Sequence, residues 1–99
     1  SPTPPHTHGS FAATHKEIAM QSIVSLLAIL ANLLPVCRRV TPSYADDCAS
    51  LIETLKGFEI IFAEGLETAD THVALYDSIE DARELLNEVD FALTTYVHA

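Results

Sequence analysis

Residues 23–40 read IVSLLAILANLLPVCRRV, and the placement of this run decides the fold. No charged residue lies between Glu17 and Arg38, and the 19-residue window 18–36 is long enough to cross a hydrocarbon layer. Two features oppose a permanent span. Pro35 trims the helical part to about 17 residues, the lower limit for crossing a bilayer. Thr14, Glu17, Gln21, Ser25, Ala28 and Asn32 recur at spacings of 3, 4, 4, 3 and 4, so small and polar residues share one narrow helical face. The run therefore reads as the core helix of a soluble bundle, apolar around most of its circumference and in need of cover on several sides. Its contact residues, facing either a protein interface or a membrane, are expected to be Ile23, Val24, Leu26, Leu27, Leu30, Leu33 and Leu34. A conditionally inserting hairpin and a true span are the alternatives. A leftover signal sequence is disfavoured, because a proline-rich stretch and a Thr14-His15-Lys16-Glu17 capping box precede the run instead of a basic segment.

The end of the run carries its own signals. Pro35 is expected to stop the first helix, since the residue before a proline is pushed out of helical geometry. Cys37 and Cys48 lie eleven positions apart, and a disulfide between them would staple the following turn. Such a loop is worth roughly 2 to 3 kcal/mol in the chain-entropy model. An even cysteine count suits an oxidising compartment, from which secretion is expected, and the chain, opening on Ser1, is read as a processed form. Arg38 and Arg39 complement the helix dipole, and they also form a candidate dibasic processing site.

Working outward, residues 1–9 (SPTPPHTHG) hold three of the five prolines and no aliphatic side chain, which predicts a flexible Pro/His arm ahead of a single helical domain over 10–99. Thr41-Pro42 predicts a second start, with Thr41 as cap and Pro42 at the first helical position. Tyr44, Cys48, Leu51, Leu55, Phe58, Phe62 and Leu66 then fall on one face. Leu75, Ile79, Ala82, Leu86, Val89, Leu93 and Tyr96 repeat at 4, 3, 4, 3, 4 and 3, close to a heptad seam, with Asp70 or the Asp77-Ser78 pair as its cap. The expected fold is all-α: an antiparallel three-helix up-down-up bundle with helices over 11–34, 42–68 and 71–97. A bundle so slender favours completion by a second copy or a partner helix.

Fourteen acids against five Lys and Arg give a net charge of −9, which opposes binding to phosphate backbones and excludes nucleic acid as a partner. His6, His8 and His15 are the nearest approach to a metal cluster, but no carboxylate or cysteine is placed to complete a site, so no metal and no cofactor are expected. Asp77, Glu80, Asp81, Glu84 and Glu88 recur at helical spacing with Arg83 among them, as a solvated face does. No nucleophile elbow or phosphate loop occurs, and an enzyme is not expected. The composite expectation is a small secreted non-catalytic protein acting by protein–protein contact or self-association through helix 1. Its rivals are a membrane-active toxin that inserts helix 1 and a carrier of a small apolar or lipid ligand.

Overall fold

The computed structural model describes residues 3–98, with side chains described from residue 15 onward. The described chain is all helical, with three helices and no strand: α1 (Thr3–Val40), α2 (Pro42–Ala63) and α3 (Ala69–His98).

Helix α1 departs from its expected bounds at both ends. It begins at Thr3, inside the stretch read as an arm, so the Thr14 capping box falls within the helix. Pro4 and Pro5 fit there because the first turn needs no backbone N–H. At the other end the helix runs through Pro35 to Val40 instead of stopping at Leu34. The physical reason is the face that Pro35 occupies. The carbonyl left without a donor belongs to Ala31, one turn earlier, and both residues are exposed, so water can satisfy it. Meanwhile Leu30, Leu34 and Cys37 on the opposite face continue to pack in the core.

Only Thr41 separates α1 from α2. Its N–H donates to the Cys37 carbonyl at 2.9 Å, and its carbonyl accepts from the Tyr44 N–H at 2.9 Å. The side chain makes no capping bond, contrary to expectation, and its hydroxyl oxygen is buried without a partner. The start of α2 rests instead on Pro42 at the first helical position. Helix α2 ends earlier than expected, at Ala63, in a Schellman turn. The Leu66 N–H donates to the Ile61 carbonyl at 3.0 Å and the Gly65 N–H to Phe62 at 3.2 Å, with Gly65 at φ 71°. Thr68, rather than Asp70, caps α3: its hydroxyl accepts from the Thr71 N–H at 3.2 Å while the Thr71 hydroxyl accepts from the Thr68 N–H at 3.0 Å. This is the reciprocal capping pattern with threonine in the place of glutamate.

Each helix buries three residues seven apart: Ile23, Leu30 and Cys37 in α1, Cys48, Leu55 and Phe62 in α2, and Leu75, Ala82 and Val89 in α3. That interval keeps one narrow stripe of each helix turned inward. Helix α1 packs chiefly on α2, α2 packs less extensively on α3, and α1 touches α3 least. The molecule measures 65 × 23 × 19 Å with a radius of gyration of 17.0 Å. A compact domain of this length has a radius nearer ~13 Å. A core this thin leaves much of every helix outside it.

Candidate functional site

The side chains expected to form the contact surface divide by face. Ile23 and Leu30 are fully buried, so they belong to the core and not to an interface. Leu26, Leu27, Leu33 and Leu34 pack partly buried against that core. Of the seven, only Val24 stands open, 51% exposed. The apolar surface that α1 does present comes from Ile18, Val24, Ile29 and Val36, at 57, 51, 46 and 38% exposure. Gln21, Ser25, Ala28 and Asn32 of the polar stripe are all exposed beside them. The helix expected to need cover on several sides receives little of it from its own chain. Within the apolar segment His15–Val40, 17% of the most apolar window is buried, because α2 covers one stripe and α3 adds little.

Two grooves flank α3. One, lined by Ile18, Gln21, Ser22, Ser25 and Leu26 of α1 with Ile79 and Arg83 of α3, holds about 380 Å³ and no acid. The other, between α2 and α3, is of similar volume and is lined by Asp47, Asp81, Glu84 and Glu88 among others. Asp77, Glu80, Asp81, Glu84 and Glu88 all lie exposed, and Arg83 Nη1 donates to Glu80 Oε1 at 3.0 Å. Asp46 and Asp47 lie beyond the first turn of α2, which contains no acid, so the dipole effect expected for them has decayed before it reaches them.

Cys37 and Cys48 meet near the α1–α2 link, but as free thiols, both fully buried. The expected disulfide is absent. The Cys48 thiol donates instead to the Leu30 carbonyl at 3.4 Å. Burial, and then the neighbouring Cys37 sulfur, push its pKa above the ordinary thiol value. Arg38 and Arg39 lie in the last turn of α1, where they complement the helix dipole. A protease could cut there only after that turn unwound, so the expected processing site is not an open loop.

At the opposite end, a contact that the sequence did not signal ties α1 to the α2–α3 turn. The Lys16 ammonium stands 3.3 Å from Glu67 Oε1. A hydrogen bond from its own backbone, and then Lys16, hold the Glu67 carboxyl below its ordinary pKa. His72 of α3 packs edge-on to Phe62 of α2, ring centroids 5.1 Å apart. His6 and His8 lie outside the described side chains, and among described residues no group of three His, Cys, Asp or Glu comes together to hold a metal.

Charge is divided as unevenly as cover. Residues 1–45 hold Lys16, Arg38 and Arg39 against Glu17, whereas residues 46–99 hold the remaining thirteen acids against Lys56 and Arg83. The feature that sets this molecule apart is therefore an uncharged, half-apolar helix face beside a strongly acidic pair of helices. No protein-family model, curated protein or solved structure matches the chain.

Proposed function

We propose that the protein is a non-catalytic helical module that works by contact through the outer face of α1. The observation that carries this reading is the set Ile18, Val24, Ile29 and Val36, left open beside an exposed polar stripe on a helix with no charge between Glu17 and Arg38. Large apolar side chains left open on an uncharged helix surface suit an interaction site. The reading takes the molecule as an antiparallel up-down-up bundle. The single-residue link at Thr41, the Cys37–Cys48 contact and the Lys16–Glu67 pair at the far end support that course. In this register the buried residues stack as Ile23, Phe62 and Leu75, then Leu30, Leu55 and Ala82, then Cys37, Cys48 and Val89, and α3 borders the outer face of α1 only along the groove that Ile18, Ser22 and Ser25 share with Ile79 and Arg83. The cysteines, being free thiols, lend secretion no support, and the proposal carries no compartment.

A second reading, insertion of α1 into a bilayer, rests on the 26-residue apolar segment His15–Val40, whose most apolar window has a mean hydropathy of 1.9. It requires the leucine-rich inner face to leave α2 and Asn32 to enter hydrocarbon, and protonation of the acidic helices at low pH would assist it.

Two assays run together test the contact reading: sedimentation over a concentration series, and flotation with neutral and anionic vesicles at pH 7 and pH 4.5. Association in either one, lost in the Val24→Lys/Ile29→Lys double variant with helicity retained, supports it. A compact monomer at millimolar concentration that binds neither vesicles nor an apolar dye sinks it.

A further inference from the structure

We infer that the partner of this face is a second copy of the chain, with the two α1 helices packed antiparallel; the inference rests on the contact reading above and names its occupant. The outer surface of α1 carries Ile18, Ser22, Ser25, Ile29, Asn32 and Val36 at spacings of 4, 3, 4, 3 and 4, all exposed or half-exposed. Such spacing is the seam of a two-helix coiled coil. Here it is also a palindrome centred on residue 27. An antiparallel copy therefore sets Ile18 opposite Val36 of the other copy, Ser22 opposite Asn32, and Ser25 opposite Ile29. The pattern is self-complementary, as a twofold interface must be. It also disposes of the polar groups, because the Asn32 amide falls across from the Ser22 hydroxyl, with Gln21 one position away. In a bilayer the same groups would lack partners. Ser22, Ser25 and Ala28 are small enough for the backbones to approach closely.

Charge fixes the direction. Glu17 and Arg39, both exposed, sit on the same flank of the seam at its two ends. Antiparallel packing brings Glu17 of each copy to within about two residues' rise, ~3 Å along the axis, of Arg39 of the other. It forms two opposite-charge pairs. Parallel packing would instead set Arg38 and Arg39 against themselves. Lys16, the other cation of α1, is already engaged with Glu67 within its own chain. Ile18, Ser22 and Ser25 of the seam also line the groove shared with Ile79 and Arg83 of α3, and that groove contains no acid, whereas the α2–α3 groove is lined by four.

The test uses the full chain in two single-cysteine additions, Ile18→Cys and Val36→Cys, each at an exposed position and each distinguishable by mass. Mixed under a mild oxidant, they should yield a disulfide-linked mixed dimer at least ten-fold above the homodimer that either forms alone. Equivalent positions on the two copies lie 18 residues, about 27 Å, apart along the axis. Adding Ile29→Lys to both chains should abolish the cross-link. A homodimer formed by Ile18→Cys alone would mean parallel packing and would overturn the inference while leaving the contact reading in place. So would a monomer that floats with vesicles. A dimer that survives Ile29→Lys places the interface elsewhere and overturns both, as does a chain that associates with nothing.

Discussion

The inner face of α1 sets Ile23, Leu30 and Cys37 against α2, whereas the outer face of the same stretch leaves Ile18, Val24, Ile29 and Val36 to solvent. Both faces are uncharged, and the difference between them is what the rest of the chain supplies. Helix α2 offers Cys48, Leu55 and Phe62 at the same seven-residue interval, enough to cover one stripe, and α3 is spent mainly on α2. A helix can thus be apolar around its circumference while belonging to the core along a single line. The composition of a helix sets how much cover it needs, and the number of neighbouring helices sets how much it gets.

The largest expected effect separates the two faces directly. Leu30→Ala removes a fully buried side chain and should cost about 2 to 5 kcal/mol in denaturant unfolding, because the cavity adds to the lost burial. Ile29→Ala, one residue away, should change the stability of the dilute protein by less than about 0.5 kcal/mol. Comparable losses at both positions would mean that the outer face is covered within the monomer. A smaller effect of the opposite sign is expected at Gly57 in α2, where an added Cβ meets nothing within 4 Å. Gly57→Ala should raise stability by about 0.5 to 1 kcal/mol by lowering the entropy of the unfolded chain. A loss there would reveal a close neighbour on that side of α2.

The least effect concerns the tie at the far end of α1. Folding holds the Glu67 carboxyl below its usual value of 4.5, so the stability it contributes is present above that value and is lost as pH falls through the folded-state pKa. Glu67→Gln should therefore flatten the acid limb of the stability profile below about pH 4.5 and change little between pH 6 and 8. Lys16→Met should act in the same direction. An unchanged acid limb in both variants would show that the pair at 3.3 Å does no more than share the surface.

The sequence made some of this legible. In α2 and α3 polar residues interrupt the apolar ones regularly, and seams chosen by spacing contain the buried Cys48, Leu55, Phe62, Leu75, Ala82 and Val89. In α1 the leucines at 26, 27, 30, 33 and 34 share one face and that face turns inward, but Ile18, Val24, Ile29 and Val36 lie outside it, which blurs the edge of the inward line. The informative signal was the polar stripe, and Gln21, Ser25, Ala28 and Asn32 do lie exposed. Pro35 misled because a proline's effect depends on whether the carbonyl one turn earlier meets water, which is a tertiary fact. The cysteine spacing located two sulfurs that do meet, yet spacing is silent on their oxidation state. Thr68 was missed because Thr71 replaces the acidic partner by which a capping box is usually found.

Thermal unfolding at a series of protein concentrations tests the central claim, that the outer face of α1 is completed by a second copy. Because a partner that binds only the folded state adds stability by mass action, the wild-type midpoint should rise from micromolar to millimolar protein. The Ile29→Lys midpoint should stay fixed and meet the wild-type value at the dilute end. A wild-type midpoint independent of concentration, or an equal rise in Ile29→Lys, would contradict the account.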